Sequence, residues 1–289
     1  MAPIKPQVLL PRSLQLLALL CTLALISASP KTLAQEPTSQ ALDEAVIAAG
    51  EAAMGTAARL EARLSMGDLV DEERFAEAIP YAERIAQLTE EDLGASPQLG
   101  VALSNLGMLQ QRVQLYDVSE QNFLRAVDVI RESEGVFSGA VIRPMLGLGI
   151  NYQTRGDFLE AMTIFEEART ISRRVNGLMN EQQILILDHL SNTMVSMGRY
   201  EEADEFQINA LQLQERIHGI DTMEVLPAIY KFARWMRSSY RFYEERLQYT
   251  RAIDIIRENA GPQDVALVTA LREIGNSFRL QKTGEGRGV

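Results

Sequence analysis

Few side chains in this sequence could take part in a reaction. There are two histidines, His189 and His218, and they lie far apart along the chain. Neither has a carboxylate at the spacing of an H-E-x-x-H metal motif, and no G-x-S-x-G or glycine-rich phosphate loop occurs. The stretch "GLGIN" at 147–151 lacks the preceding strand that a nucleotide loop requires. Because catalysis needs a nucleophile, a metal or a tuned acid–base pair, we expect no enzymatic activity, no metal and no cofactor.

A cationic series near the C-terminus is better suited to binding. Lys231, Arg234 and Arg237 recur in steps of three, which places them on neighbouring parts of one helix face. Arg272 and Arg279 lie further along the chain, in what reads as the next inward helix. Since the arginine fork binds a carboxylate through two hydrogen bonds, these residues predict a site for an acidic side chain or a terminal carboxylate. The alternative is that they are ordinary surface cations paired with neighbouring acids.

The first thirty-four residues have the organisation of a secretory signal peptide. Lys5 and Arg12 are followed by the apolar run "LQLLALLCTLALI" at 14–26 and by small residues that end at Ala34. The apolar run is short for a hydrocarbon core about 30 Å thick. We therefore expect cleavage after Ala34, a periplasmic or secreted protein, and no membrane insertion afterwards.

The predicted mature chain is acidic and contains no cysteine. Lys+Arg is 28 and Asp+Glu is 39 in the full sequence, for a net charge of −11. Cleavage removes Lys5, Arg12 and Lys31 and no acid, which leaves a net charge of −14. Such a charge argues against nucleic-acid binding. The single cysteine, Cys21, lies in the predicted signal peptide, so disulfides and thiolate zinc sites are not expected in the mature chain.

A period of forty-two residues organises most of the remaining chain. "GDFLEAMTIFEEA" at 156–168 is echoed by "GRYEEADEFQINA" at 198–210. Glycines suited to helix C-termini recur at this spacing, as do helix-capping residues three positions later. The glycines are Gly135, Gly177, Gly219 and Gly261, and the capping residues are Ser96, Ser138, Asn180, Thr222 and Asp264.

Each period contains two antiparallel helices. Apolar residues recur on the first helix at Leu103, Met145, Leu187, Ile229 and Leu271. A column of small residues lies beside them, at Gly107, Gly149, Ser191, Ala233 and Gly275. Because small side chains let helix axes approach closely, this column predicts where the helices of a pair cross.

These columns resemble the tetratricopeptide repeat, in a forty-two-residue form like that of kinesin light chains. Residues 145–168 match most closely, while residues 229–252 diverge because Glu245 replaces a small residue. HEAT or armadillo repeats are the structural rival, but the Gly-aromatic-Ala pattern after the internal break favours tetratricopeptide repeats. The resemblance implies an all-α fold, a right-handed superhelical solenoid of antiparallel helix pairs.

The pattern divides the chain into five segments. They are a signal peptide at 1–34, a flexible lead at 35–41, a degenerate N-terminal helical repeat at 42–95, the repeat array at 96–283 and a disordered tail at 284–289. The degenerate repeat is out of phase by one residue. The array ends on a lone first helix, which is interpreted either as a cap or as the mark of a truncated or frameshifted product.

The resemblance also implies a binding groove on the concave side, lined by the first helices. Its candidate residues are Asn105, Gln111, Arg143, Gln153, Asp188, His189, Asn192, Tyr230, Lys231, Arg234, Arg237, Arg272, Asn276 and Arg279. Stacking should set Arg237 beside Arg279 and Tyr230 beside Arg272, forming a cationic pocket with an aromatic wall.

The function expected from this groove is that of an exported, non-enzymatic scaffold. It would bind a protein or peptide, with an acidic segment as the expected ligand for the cationic pocket. A structural subunit of an envelope or secretion assembly is the first alternative. A regulatory module for a separate enzyme, such as a protease, is the second. Neither the partner nor the oligomeric state follows from the sequence.

Overall fold

The computed structural model describes the backbone of residues 39–285 and the side chains of residues 55–283. The chain divides into two compact units, residues 1–51 and 52–289. Of the first unit, the structure describes residues 39–51, which form the beginning of a helix. The predicted signal peptide lies outside the described residues.

Eleven α-helices and two short 3-10 helices make up the described part of the chain, and no strand occurs in residues 39–285. The α-helices are α1 (Ser39–Asp71), α2 (Phe75–Leu93), α3 (Pro97–Arg112), α4 (Tyr116–Glu134), α5 (Ile142–Arg155), α6 (Phe158–Asn176), α7 (Gln182–Ser196), α8 (Tyr200–His218), α9 (Leu226–Ser238), α10 (Phe242–Asn259) and α11 (Leu267–Glu285). The 3-10 helices are Gly139–Val141 and Met223–Val225. Among the described helices, none has the length and apolarity that crossing a bilayer requires.

The helices pack as consecutive pairs. Helix α3 packs on α4, α5 on α6, α7 on α8 and α9 on α10, and each second helix also contacts the first helix of the next pair. The last helix, α11, packs on α10. Large apolar side chains, including Phe123, Phe165, Leu148 and Ile229, are fully buried between the layers. The predicted all-α solenoid of helix pairs is therefore confirmed.

The glycines at the ends of the second helices have backbone angles that favour glycine. Gly135, Gly177 and Gly219 have φ of 92°, 81° and 100°. Their ψ values of 163°, 176° and 152° lie beyond the left-handed helical region that is common at helix C-termini. That combination of angles is essentially restricted to glycine. The predicted need for glycine is thus correct, although the conformation is an extended one.

Most of the predicted caps also form. Side-chain oxygens of Ser96, Ser138, Asn180 and Asp264 accept hydrogen bonds from backbone N–H groups two or three residues further on. Thr222 is the exception, since its hydroxyl donates to the His218 carbonyl at 3.0 Å instead.

The small-residue column marks the helix crossings inside the array but not at its end. A Cβ atom on Gly149 would lie 2.4 Å from the Phe165 ring, and one on Gly107 would lie 3.0 Å from Phe123. At Gly275, in α11, an added Cβ would have nothing within 4 Å. No second helix follows α11 within the described residues, so this member of the column has no crossing to make.

Three expectations from the sequence need correction. Helix α1 begins at Ser39, so the last part of the predicted flexible lead is helical, as expected for an Ala- and Glu-rich stretch. Helix α11 continues to Glu285, two residues into the predicted tail. Leu271 belongs to the predicted apolar column but is 53% exposed, and Phe278 on the same helix is 58% exposed beside Arg246 of α10.

Candidate functional site

The candidate site is the surface formed by the side-by-side first helices α1, α3, α5, α7, α9 and α11, here called the first-helix face. From α3 to α11, hydrogen bonds join each of these helices to the next. Arg143 Nη2 of α5 donates to Asn105 Oδ1 of α3 at 2.9 Å, and Gln153 Nε2 donates to Thr193 Oγ1 of α7 at 3.3 Å. The structure thus brings predicted groove residues together, but many of them bind one another.

In the middle of the face, an ion pair and a ring contact use the predicted residues. Lys231 of α9 pairs with Asp188 of α7. The His189 imidazole stacks on the Phe165 ring with centroids 5.1 Å apart and planes at 13°. Burial in this contact lowers the pKa of His189, so the ring is neutral at pH 7. Asn192 is exposed on the same helix.

The C-terminal end of the face contains a partly buried ion cluster around Arg237 instead of the predicted cationic pocket. The Arg237 guanidinium donates to Glu245 Oε1 at 2.5 Å and to Glu273 Oε2 at 2.7 Å. The Glu245 side chain is fully buried, and its second oxygen accepts a hydrogen bond from Ser277 Oγ at 2.7 Å. The hydrogen bond from Arg237 lowers the pKa of Glu273. With two carboxylates bound to it, Arg237 is neutralised and faces inward.

The predicted aromatic wall is also different. The Tyr230 ring packs against Tyr249 of α10, with centroids 5.8 Å apart, and its hydroxyl is buried without a hydrogen-bond partner in the described part of the chain. Arg272 is 65% exposed and pairs with Glu273 at 3.4 Å. Arg237 and Tyr230 thus contact residues other than Arg279 and Arg272, beside which the sequence placed them. The alternative, cations paired with neighbouring acids, holds for Lys231, Arg237 and Arg272.

The remaining predicted residues at this end do not converge. Arg234 and Arg279 are exposed, and Asn276 is half-buried. The signal that could have revealed the cluster was present in the sequence. Glu245 stands in a column where the other repeats have Ser or Ala, and a buried carboxylate requires a cationic partner.

The opposite end of the face contains a feature that the sequence reasoning missed. An open cavity of about 600 Å³, here called the N-terminal cavity, lies between α1, α2 and α3. Leu60 and Val101 form apolar parts of its walls, and Ala82 and Ile85 of α2 form part of its base. A smaller cavity of about 150 Å³, here called the α8 cavity, lies between α7, α8 and α9.

The two histidines and the carboxylates of the described part of the chain do not assemble a metal site. His218 lies 3.8 Å from Glu181, and His189 is stacked in the array. Residues 55–283 contain no group of three or more histidine, cysteine or carboxylate side chains placed to hold a metal ion. What the arrangement offers is an extended surface of side chains on stacked helices.

Comparisons with known proteins agree with this architecture. A family model described as "Tetratricopeptide repeat" matches residues 98–174, and a second one with the same description matches residues 184–222. The solved structure of a Podosopora anserina putative kinesin light chain with nearly identical TPR-like repeats is 14% identical, with a TM-score of 0.57 over 72% of this chain and 97% of that one. BtubC (BKLC) from P. vanneervenii is 16% identical, with a TM-score of 0.52 over 72% and 81% of the two chains.

The chain therefore contains tetratricopeptide repeats, at residues 98–174 and 184–222. A search of curated proteins found no match. Repeats of this kind form extended surfaces that bind proteins or peptides, and this suggests a scaffold for protein–protein interaction.

Proposed function

We propose that this protein is an exported, non-enzymatic scaffold that binds a peptide segment of a partner protein along its first-helix face. The observation that carries the proposal is the N-terminal cavity, about 600 Å³ in volume and open on that face. Ligand sites in proteins are typically concave, largely apolar and furnished with a few polar groups. This cavity has that composition, whereas the C-terminal end of the face is closed by the Arg237 ion cluster.

Export is proposed from the sequence of residues 1–34. A charged start, a short apolar run and small residues before Gln35 are typical of a cleaved signal. N-terminal sequencing of the mature protein, isolated from the extracytoplasmic fraction, should give a start at Gln35. A protein that keeps Met1 and sediments with membranes would contradict this part of the proposal.

Binding is tested by capture of partners from the native envelope. The wild-type protein should retain a partner, and a variant with Leu60→Asp and Val101→Asp should not. Both side chains are more than 40% exposed, so the changes should leave the fold intact. If the variant captures the same partner as the wild type, the partner binds another surface.

A structural subunit is the second candidate, and the exposed apolar face of α11 favours it. Val268, Leu271 and Phe278 are 59%, 53% and 58% exposed at the end of the array. Solenoids usually cover their terminal faces with polar residues. A Leu271→Ser and Phe278→Ser variant should abolish assembly if this function is correct, and should capture the same partners as the wild type if the protein is a groove-binding scaffold.

A further inference from the structure

The last helix, α11, exposes an apolar stripe at positions that the complete repeats bury. Leu271 and Phe278 are 53% and 58% exposed. Phe278 lies forty-two residues after Met236, which is 1% exposed. The earlier residues in the column of Leu271 are all at most 3% exposed, and they are Leu103, Met145, Leu187 and Ile229. The repeat pattern therefore gives α11 a contact face, and most of that face is open to solvent in the described part of the chain.

In the complete repeats, the second helix of the same repeat covers these positions at a close crossing. A Cβ on Gly149 would lie 2.4 Å from the Phe165 ring of α6. The Gly107 carbonyl accepts a hydrogen bond from Ser119 Oγ of α4 at 2.8 Å. Gly275 is the α11 member of this small-residue column, and an added Cβ there would have nothing within 4 Å. Helix α11 thus has both the small residue of a helix crossing and the apolar stripe around it.

The chain does not turn back over this stripe where the other repeats do. The turn before each second helix contains a residue with positive φ, and these residues, forty-two apart, are Gln114, Gly156, Gly198 and Tyr240. The next position in the series is Lys282, which lies inside α11, and this helix continues to Glu285. The stripe is thereby left open. It is here called the α11 end face and consists of Val268, Leu271, Gly275 and Phe278.

Exposed cations border the α11 end face near the C-terminal end of the helix. Arg279 and Lys282 are exposed and form no ion pair within residues 55–283. Arg237, forty-two residues before Arg279, donates to Glu245 Oε1 of its own second helix at 2.5 Å. Because a second helix starts beside the end of its first helix, one with an acidic first turn would be complementary in charge to α11. Such acids are present in the first turns of α8 and α10, at Glu201, Glu202, Glu244 and Glu245.

The same cations argue against a second copy of the chain as the occupant. An antiparallel pair of α11 helices that crossed at Gly275 would place Arg272 of one copy beside Arg279 of the other. Like charges that face each other across an interface oppose association. The charge pattern therefore favours a helix of different composition, acidic where α11 is basic.

We propose that the α11 end face binds a helix of another protein, which runs antiparallel to α11 and completes the unfinished last repeat. The bound helix places an aromatic ring over Gly275, as Phe165 lies over Gly149, and an acidic first turn beside Arg279 and Lys282. Amphipathic helices commonly bind apolar surfaces through anchors on one face. This docking surface is separate from the N-terminal cavity, so the inference goes beyond the proposed function.

A helix taken from this protein is the probe. A fluorescein-labelled peptide with the sequence of residues 156–176 contains α6 and the turn before it. In fluorescence anisotropy, the wild-type protein should bind this peptide, and a Leu271→Ser and Phe278→Ser variant should bind it at least about tenfold more weakly. The matched control is Leu178→Ser with Met179→Ser, whose side chains are 63% and 61% exposed in a loop outside α11, and it should bind as the wild type does. No binding by the wild type, or equal binding by the α11 variant, would overturn the inference.

A second pair of changes distinguishes a shaped helix site from a merely apolar surface. Gly275→Leu adds apolar area to the face, and because a Cβ there meets nothing within 4 Å, the change should leave the fold intact. It nevertheless occupies the place of the incoming ring, so binding of the peptide should weaken by about tenfold or more. Phe165→Ala in the peptide removes that ring and should have a similar effect. Unchanged or tighter binding in either case contradicts the proposed crossing.

The orientation of the bound helix is tested through its charges. Ala161→Glu in the peptide puts a carboxylate at the position equivalent to Glu245, which the antiparallel arrangement brings to Arg279. This peptide should bind the wild type about threefold more tightly, and Arg279→Ala should remove the gain. A gain that persists in Arg279→Ala means that the assigned orientation is wrong.

The outcomes separate this inference from the proposed function. The Leu60→Asp and Val101→Asp variant should bind the peptide as the wild type does; if it does not, the peptide lies at the N-terminal cavity and the inference is wrong. If the Leu271→Ser and Phe278→Ser variant loses the peptide but still captures the envelope partner, both stand. If the peptide binds α11 but the wild type captures no envelope partner, only the proposed function fails. A wild-type dimer in sedimentation that becomes a monomer with Leu271→Ser and Phe278→Ser would assign the face to a second copy and overturn the inference.

Discussion

The two ends of the first-helix face depart from the regular pattern in different ways. Near the N-terminus, Ala82 stands where the next two second helices have Phe123 and Phe165, and it lines the open N-terminal cavity together with Met66. Near the C-terminus, Glu245 stands in place of a small residue, which adds a buried charge, and Arg237 and Glu273 close around it. A lost side chain can be replaced by a ligand, whereas a buried charge must be neutralised within the protein. The same helical architecture thus yields an open end and a closed end.

Removing the cation from the closed end should have the largest effect. Arg237→Ala leaves Glu245 fully buried and without its guanidinium partner. Losing one partner of a buried ion pair typically costs about 3–5 kcal/mol in the free energy of unfolding. Chemical denaturation followed by circular dichroism measures this change.

The double variant Arg237→Ala with Glu245→Ala is the control. It restores the alanine found in this column at Ala78, Ala161 and Ala203, and it should be more stable than Arg237→Ala alone. If the two variants are equally unstable, the cluster does not depend on the pairing of these charges.

Overpacking the interior of the array should have the next largest effect. Gly149→Leu forces a side chain into the Phe165 ring, and overpacking of this kind costs about 1–3 kcal/mol. Gly275→Ala tests the same column at the closed end. Because its Cβ meets nothing within 4 Å, this change should stabilise the protein by up to about 1 kcal/mol through helix propensity. Melting temperatures that move in the same direction for both variants would contradict the assigned crossings.

Acid should loosen the closed end. The hydrogen bond from Arg237 lowers the pKa of Glu273 below its ordinary value. The Glu273 carboxyl therefore binds a proton less readily in the folded state than in the unfolded state. Its contribution to the free energy of unfolding is present above about pH 4.3 and is lost as the pH falls through the lower folded pKa. Melting temperatures measured from pH 7 to pH 3 should fall less steeply for Glu273→Gln than for the wild type. If melting temperature falls with pH equally in the two proteins, the Glu273 carboxyl does not contribute to the pH dependence of stability.

The smallest effect is expected for the exposed arginines. Arg234→Ala with Arg279→Ala removes two charges from the closed end without touching the ion cluster, and the free energy of unfolding should change by less than about 0.5 kcal/mol per residue. Capture of partners from the native envelope should be unchanged as well. A loss of that capture would restore the C-terminal site that the sequence predicted.

Much of the fold followed from the sequence because it depends on local periodicity. Glycines, caps and apolar columns repeat every forty-two residues, and each acts on its own helix or on the next one along the chain. These patterns predicted the helix pairs and the crossing at Gly149. They also located the first-helix face, since positions on one side of a helix recur at fixed intervals.

Only the tertiary structure decided which side chains of the first-helix face remain available for binding. Charges read along the sequence gave Arg237 and Lys231 as available cations, but packing between helices paired them with carboxylates from other repeats. A cavity is likewise a property of neighbours, because a small residue such as Ala82 leaves space only if no other side chain fills it. Periodicity therefore determined where side chains point, and the contacts between repeats determined which of them remain free to bind.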